Sequence, residues 1–214
     1  MTLQASIVRK TFHFGFDART SRGTMKERNS WFIKIWDDQH PDVVGIGECG
    51  PLPGLSIENI AGLDEVLQEA INKFNHQKPD VSRLTKDLGA LQKYLTGIFG
   101  LSFIHGNPAA AFALETALLD LHQGGERVIF KNAFLEKKPI PINGLVWMGG
   151  LDFMLQQVEI KIRDGFRCIK LKVGGIDFEK ECDILQYIRR KYYRENITVR
   201  LDANGAFKPD DVLY

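Results

Sequence analysis

The stretches Arg167-Cys168-Ile169-Lys170-Leu171-Lys172-Val173 and Ile197-Thr198-Val199-Arg200-Leu201-Asp202-Ala203-Asn204 decide the fold of this chain. Both alternate apolar and polar residues, as a β-strand does, because successive side chains of a strand point to opposite faces. A helix-like segment separates them, and a strand-helix-strand unit normally forms a right-handed parallel pair. We therefore expect the apolar residues to face the helix, while two lysines, one arginine and one aspartate share the other face.

Two interpretations of this charged face compete. A sheet with a wet polar face is common when the strands are antiparallel, and the charges would then simply be solvated. Parallel sheets are usually covered on both faces, and buried charges are costly unless they are paired or bind a ligand. In a closed β/α barrel the carboxyl ends of the strands form the active site. Lys172 and Asp202 lie at those ends, which favours the functional interpretation.

Composition bounds the class of protein. The 214 residues carry a formal net charge of +1, with 44% hydrophobic and 26% charged residues, as is ordinary for a globular protein. Near-neutral charge gives no sign of nucleic-acid binding, and no apolar run reaches the roughly 18 residues of a membrane span. Three widely spaced cysteines predict neither a disulfide framework nor a zinc site. We expect a cytoplasmic protein that binds neither nucleic acid nor membrane.

The amino-terminal part predicts an antiparallel meander. Residues 3–14, 30–36 and 43–48 have the alternation and the aromatic and β-branched content of three consecutive strands. Between the first two, Phe16–Asn29 is rich in charge and poor in apolar residues, which predicts a mobile loop. A plain solvated loop is the simpler interpretation of that segment on composition alone.

Helices follow the meander. Leucines from Leu84 to Leu95 at helical spacing mark one of them. Asn107-Pro108 is a helix start signal, and it predicts an alanine- and leucine-rich helix over Ala109–His122. The acidic residues Glu115 and Asp120 within that helix are interpreted as structural rather than catalytic.

The carboxyl-terminal part alternates strands and helices. Residues 140–146 predict a strand and 153–162 a helix, and Asp177 is positioned to cap the helix between the two opening strands. Gly174-Gly175 precedes that helix and could bind an anion there. We therefore expect two domains, an α+β domain over 1–135 and the first β/α units of an incomplete TIM-type barrel over 136–214.

Several of these features together resemble the enolase superfamily, in its muconate-lactonizing-like branch. They are Gly45–Pro51 after the meander, the helix Pro108–Leu121, Lys170-Leu171-Lys172, and, about 30 residues later, Leu201–Gly205. Within the superfamily, Arg200–Phe207 is similar to the third-strand motif of o-succinylbenzoate synthases. Dipeptide epimerases share much of the pattern.

The resemblance implies a chemistry that fits these residues. It implies a Mg²⁺-assisted reaction on a small-molecule carboxylate, in which a base removes the proton beside the carboxylate and a β-hydroxyl then leaves. An α-carboxylate proton is very weakly acidic, so the intermediate needs a hard cation and nearby positive charge. Lys172 would be the acid/base group, with a pKa lowered by burial and by the metal. Lys170 would tune it through like-charge repulsion, and Asp202 would be a metal ligand.

The resemblance also implies which residues bind the substrate. They would be Arg22, Arg200 and Asn204. The amino-terminal domain would be a capping domain, and the charged segment Phe16–Asn29 would be its capping loop, which closes over the site and contacts the distal part of the substrate.

The chain departs from the superfamily pattern in one large respect. Members carry two further carboxylate ligands and a second lysine on later barrel strands, and those positions have no counterpart here. A TIM barrel takes about 250 residues, whereas roughly 75 follow Pro139. We expect a piece of a longer enzyme that is inactive alone, with a non-catalytic binding or assembly subunit as the alternative. Whether the protein forms a homo-oligomer stays open.

Overall fold

The computed structural model describes residues 2–20, 23–80, 82, 85 and 87–210. The chain divides into two compact units: Met1–Phe14 with Glu27–Leu135, and Gly15–Lys26 with Glu136–Tyr214. Each has its own apolar core. Among the described residues, no helix combines the length and the hydropathy that crossing a membrane requires.

A sheet of three consecutive strands opens the chain, as predicted. The strands are β1 (Leu3–Thr20), β2 (Gly23–Asp37) and β3 (His40–Cys49), in the order β1-β2-β3. The β2–β3 pair is antiparallel, with Trp31 opposite Cys49. Alternate residues of β2, including Trp31, Ile33 and Ile35, are almost fully buried in the core of the first unit.

The prediction of an irregular loop over Phe16–Asn29 is wrong. β1 continues to Thr20 and β2 begins at Gly23, so the described residues of this segment lie in two neighbouring strands of the sheet. In a two-stranded ribbon the backbone groups pair with each other, so no apolar residue is needed to hold the strands. The charged composition therefore indicated exposure correctly but did not reveal the backbone conformation. Closure of this segment over a ligand stays a prediction.

The helical segments that the structure describes in the first unit are a 3₁₀ turn over Ile60–Gly62, then α1 (Leu63–Gln77), α2 (Leu88–Phe99), α3 (Leu101–Gly106) and α4 (Pro108–His122). Asp87 caps α2 by accepting from the amides of Gly89 and Ala90. Leu84, the predicted start of α2, lies outside the described residues. The start signal before α4 is confirmed, with Pro108 in its first turn.

The closest packing in the first unit joins α4 to β3. A Cβ atom added to Gly45 would lie 2.0 Å from the carbonyl oxygen of Ala117, and one added to Gly47 would lie 1.8 Å from that of Ala113. Backbone therefore meets backbone, which is why glycine on the strand faces alanine on the helix. The Gly-x-Gly of the sequence motif is thus explained by packing.

Asp120 ties the end of α4 to the same strand. Its side chain is 1% exposed and accepts hydrogen bonds from the amides of Ile46 at 2.9 Å and Arg127 at 2.8 Å. The Arg127 guanidinium completes an ion pair with it. A buried carboxylate is tolerable when it is paired in this way. These contacts support the structural interpretation of Asp120.

The second unit contains the predicted alternation of strands and helices. Its elements are β4 (Gly144–Val146), α5 (Leu151–Arg163), β5 (Cys168–Lys172), α6 (Phe178–Lys191) and β6 (Thr198–Asp202). The strands pair in parallel in the order β4-β5-β6. β4 is shorter than the predicted 140–146, and Pro141 within that range has no N–H to donate to a ladder. Asp177 caps α6, as predicted.

The helices of the second unit cover one face of its sheet. Ile169 and Leu171 of β5 are buried there against apolar residues of α5 and α6, as the alternation predicted. Leu201 of β6 differs, because its side chain is 52% exposed. β6 is the outermost strand of the described sheet. The alternation therefore predicts which way the Leu201 side chain points, but not whether other residues bury it.

We predict that Gly47→Ala destabilises the first unit. The new methyl group would have to displace the backbone of α4, and overpacking of this kind costs typically about 1–3 kcal/mol. Urea unfolding followed by circular dichroism measures the change.

Gly97→Ala is the matched control for this substitution. Gly97 is exposed on α2 and has open space around it, so alanine there should stabilise the helix by about 0.5–1 kcal/mol. Equal free energies of unfolding for the Gly47→Ala variant and the unsubstituted protein would contradict the packing described above.

Candidate active site

The strand register brings the predicted charged residues together. In the β5–β6 pair, Lys170 lies opposite Arg200 and Lys172 lies opposite Asp202. All four belong to the face that α5 and α6 leave uncovered. Lys172 and Asp202 are the last residues of their strands, so both stand at the carboxyl edge of a parallel sheet. Edges of this kind are where β/α proteins place reactive side chains.

Asp202 is the centre of the cluster. The ammonium groups of Lys170 and Lys172 each lie 2.8 Å from its Oδ2. The three side chains are between 22% and 31% exposed, so they are neither buried nor freely solvated. Two ammonium groups around one carboxylate leave a local charge of one positive unit, which suits an anionic ligand.

Asn204 completes the coordination of this carboxylate. Its backbone N–H and side-chain Nδ2 donate to Oδ1 of Asp202 at 3.1 and 3.0 Å. Its own Oδ1 accepts from Lys172 Nζ at 2.9 Å. The residue has a φ of 47°, a left-handed conformation that asparagine adopts more readily than most residues. The Asp-x-Asn motif therefore forms one hydrogen-bonded turn that holds Lys172 between two oxygen acceptors.

This environment changes the ionisation of Asp202. Hydrogen bonding from Lys170, followed by that from Lys172, holds the pKa of the carboxyl well below its usual range, and the Asn204 amide adds to the effect. Donors that favour the charged form always act in this direction. Asp202 is therefore a carboxylate at every physiological pH.

The predicted substrate-binding residues lie in different places. Asn204 is in the cluster. Arg200 lies two residues before Asp202 on the same strand and face, where its Nη1 donates to Oδ1 of Asn143 at 3.2 Å. Arg22 lies outside the described residues.

One residue of this edge was missed by the sequence reasoning. Trp147 follows β4 directly, one residue after Val146, which lies opposite Leu171 in the β4–β5 register. Its backbone is held by Gln157, whose Oε1 accepts from the Trp147 amide at 3.0 Å and whose Nε2 donates to its carbonyl at 3.1 Å. With the true end of β4, the alternation from Asn143 through Leu145 would have placed Trp147 on the same face as those residues.

Trp147 forms a wall of a cleft of about 300 Å³ in the second unit. Phe16 of β1 meets its ring edge to face, with centroids 5.8 Å apart. Met148 and Phe153 also line the cleft, and Asp17 is its charged residue. The loop after β5 reaches this cleft, because a Cβ atom added to Gly175 would lie 2.9 Å from Sδ of Met148. A mostly apolar lining of this kind suits the apolar part of a ligand.

Glu48 of the first unit has a defined role. Its Oε1 accepts from Ser30 Oγ at 2.7 Å and from Arg28 Nη2 at 3.1 Å, and Arg28 also donates to the Gly50 carbonyl at 3.2 Å. A Cβ atom at Gly50 would lie 1.9 Å from that guanidinium. Glu48 and Gly50 of the Gly45–Pro51 motif therefore hold an arginine in place.

The loop after β5 does not hold an open anion site as the glycine pair suggested. The amides of Gly174, Gly175 and Ile176 all point at Oε1 of Glu181, from 2.7 to 3.4 Å away. The anion of this loop comes from the protein itself.

A divalent cation fits this cluster only in part. Asp202 is an oxygen ligand of the kind that Mg²⁺ prefers, but Mg²⁺ requires six such ligands in near-octahedral array. A carboxylate offers about four lone-pair positions, and four donors already occupy those of Asp202. Within the part of the chain that the structure describes, no three His, Cys, Asp or Glu side chains converge. The described residues therefore supply one ligand and not a whole metal site.

Comparison with known proteins gives consistent results. No protein-family model matches the chain. The o-succinylbenzoate synthase of Desulfotalea psychrophila is 36% identical over 220 residues, covering 97% of this chain and 59% of that protein. The crystal structure of MenC from the same organism matches with a TM-score of 0.79 and 32% identity, covering 99% of this chain and 59% of the other.

A second group of solved structures shares the fold alone. The dipeptide epimerase of Cytophaga hutchinsonii, solved with Mg and the dipeptide D-Ala-L-Val, matches with a TM-score of 0.71 at 22% identity. The match covers 97% of this chain and 53% of the epimerase.

The fold and the sequence matches together define the class. The chain has the fold of the α+β capping domain and the first part of the barrel of the enolase superfamily, as the sequence predicted. In sequence it is similar to the o-succinylbenzoate synthase of Desulfotalea psychrophila, and it spans 59% of the length of that protein.

We predict that the Asp202 carboxyl titrates well below its ordinary pKa of 3.8. Because the pKa is lowered on folding, the ionised group contributes stability that is fully present above about pH 4 and is lost as the pH falls through the folded-state value. Carbon-13 NMR of the carboxyl measures this directly. Lys170→Met and Lys172→Met should each move its midpoint upward.

Unfolding at several pH values gives a second measurement. Asp202→Asn should reduce the free energy of unfolding at pH 7, and the reduction should shrink below about pH 4. Asp183→Asn, at an exposed position on α6, is the control. A carboxyl midpoint near 3.8 in the unsubstituted protein would refute the ion-pair geometry.

We also predict that the 214-residue chain binds Mg²⁺ weakly, with a dissociation constant of about a millimolar or more, because one carboxylate cannot replace the usual ligand set. Calorimetric titration of the chain and of its Asp202→Ala variant measures this. Micromolar binding that Asp202→Ala leaves intact would place a metal site elsewhere in the chain.

Proposed function

We propose that this chain provides the capping domain and the first catalytic strands of an o-succinylbenzoate synthase, a carbon–oxygen lyase of menaquinone biosynthesis. Its barrel would be completed by further β/α units of the full-length protein. The observation that carries the proposal is Lys172 Nζ, held 2.8 Å from Asp202 and 2.9 Å from Asn204 at the carboxyl edge of two parallel strands.

Lys172 is the proposed acid/base residue. Its amine ends at the edge of the sheet, where a substrate can approach, and two oxygen acceptors fix the direction of its side chain. An amine so placed can take the proton next to a carboxylate when neutral and return a proton when charged. Positioned acid/base groups typically contribute 10²-fold or more to the rate.

Lys170 and Asp202 set the electrostatics around that amine. Lys170 shares Oδ2 of Asp202 with Lys172, so the two ammonium groups are held close together on one acceptor. Their excess positive charge favours a substrate carboxylate and the negative charge that develops on it during proton removal. Neutral Lys172 would leave Lys170 to balance Asp202 alone.

Mg²⁺ is the proposed cofactor. Asp202 would be one of its ligands, with the remaining ligands outside the described residues. When bound, the cation would stabilise negative charge on the substrate carboxylate. The dipeptide epimerase from Cytophaga hutchinsonii was solved with this metal, and the two chains share the fold that presents Asp202.

Substrate recognition is proposed to use the cluster and the neighbouring cleft. Asn204, Arg200 and Arg22 are the proposed polar contacts, and Trp147 adds an apolar wall. A hydroxylated precursor of o-succinylbenzoate has carboxylates, which would suit the cationic cluster, and an unsaturated ring, which would suit the aromatic lining of the cleft.

A dehydration assay on the full-length gene product with Mg²⁺ tests the function. We expect conversion of the hydroxylated precursor to o-succinylbenzoate and no change in a panel of dipeptides. Epimerisation of dipeptides without dehydration would assign the protein to that activity instead. If the protein catalyses neither reaction, a binding or assembly role is the remaining alternative.

We predict that Lys172→Ala in the full-length protein lowers the single-turnover rate at least about 10²-fold while leaving the circular dichroism spectrum unchanged. Lys180→Ala, at an exposed position on α6, is the matched control and should retain full activity. Retention of more than about a tenth of the rate by Lys172→Ala would count against the acid/base role.

A further inference from the structure

Glu181 is a buried carboxylate whose role the proposed chemistry does not explain. It lies in the first turn of α6 and is 5% exposed. A charge at this depth is costly unless strong donors surround it. Three consecutive backbone amides supply them: Gly174 at 2.7 Å, Gly175 at 3.1 Å and Ile176 at 3.4 Å all donate to its Oε1.

A single residue separates the loop Gly174–Ile176 from Lys172. Val173, the residue between them, donates its backbone amide to the carbonyl oxygen of Asp202 at 3.1 Å. The chain from Lys172 to Ile176 is therefore fixed at one end by β6 and at the other end by the Glu181 carboxylate. A movement of the loop would change where the Lys172 side chain begins.

The same loop touches the segments that follow the two neighbouring strands. A Cβ atom on Gly174, whose φ is 84°, would lie 2.4 Å from Cβ of Ala206, in the segment after β6. A Cβ atom on Gly175 would lie 2.9 Å from Sδ of Met148, which lines the cleft after β4. All three strand ends of the described sheet therefore meet at these two glycines.

We propose that Glu181 is a positioning residue of the site, which fixes the backbone of Gly174–Ile176 and thereby the relative placement of Lys172, Asp202 and Met148. The catalytic part of this inference depends on the proposed function. Glu181 itself does not reach the cluster, because its carboxylate is used by the loop amides. Its effect is on geometry, and misplacement of reacting groups by about 1 Å can cost 10²-fold in rate.

Two variants of the full-length protein test the role. Glu181→Ala removes the carboxylate and should lower kcat about 10²-fold with KM changed less than about threefold, because the loss is in positioning. Glu181→Gln is nearly isosteric and keeps one carbonyl acceptor, so it should lose less, about tenfold. Glu179→Gln, on the exposed side of the same helical turn, is the matched control and should match the unsubstituted protein.

Chemical rescue distinguishes positioning from a general loss of structure. Sodium formate offers a carboxylate that fits the space left in Glu181→Ala, where three amides would otherwise lack an acceptor. We expect formate to raise the kcat of Glu181→Ala at least about fivefold and to leave the kcat of the Glu179→Gln control unchanged. Sodium chloride at the same concentration should not raise the kcat of Glu181→Ala. Unaltered kcat in Glu181→Ala, or a loss that formate cannot restore, would overturn the proposal.

A readout without catalysis separates this inference from the proposed function. In amide NMR spectra, Glu181→Ala should shift the signals of Gly174–Ile176 and also those of Lys172 and Ala206, and formate should reverse the shifts. If the unsubstituted protein has no dehydratase activity, the proposed function fails, and these spectra alone decide whether Glu181 fixes the site. Shifts confined to α6 would show a purely local role and refute it.

Discussion

Two ammonium groups share one carboxylate oxygen, Oδ2 of Asp202, and the candidate site depends on that contact. Lys170 and Lys172 lie two residues apart on one strand, so their side chains would repel each other if no anion stood between them. The parallel register that sets Lys172 opposite Asp202 supplies that anion at the right height. A shift of the register by one residue would turn Asp202 to the helix-covered face and leave both lysines unpaired.

Different contacts determine the arrangement of the two units. In the first, glycine allows α4 to lie directly on β3, and the buried Asp120 then ties the end of that helix to the strand. In the second, the parallel register aligns the side chains of neighbouring strands into rows, so Lys170 lies opposite Arg200 and Lys172 opposite Asp202. Backbone packing thus determines the arrangement of the first unit, whereas the strand register determines where the polar side chains of the second unit lie.

Much of this arrangement could be predicted from the sequence, for physical reasons. Alternation fixed the strands and faces of Lys170, Lys172 and Asp202, because a period of two has only one alternative register. The outer parts of β1 and β2, from Phe16 to Thr20 and from Gly23 to Asn29, could not be predicted, since strands held by their own backbone pairing leave no apolar signature.

Other features were missed because they depend on contacts between segments distant in sequence. Trp147 could be identified only once the true end of β4 was known. The two hydrogen bonds from Gln157 to the Trp147 backbone join segments whose contact no local sequence pattern predicts. The glycine pair that follows Val173 suggested an anion site, but composition could not show that Glu181, seven residues after Gly174, occupies its amides.

Asp202 and Glu181 are both carboxylates near Lys172, yet their partners give them different roles. Glu181 accepts from backbone amides, which cannot leave without unfolding the loop, so its anion is fixed in place. Asp202 accepts mainly from lysine and asparagine side chains, which can rotate away. Since its lone pairs are filled, any cation that binds Asp202 must release at least one of those donors. Where the donor released is a lysine, its amine would be free to face a substrate, so cation binding at the carboxylate and exposure of the amine would be coupled.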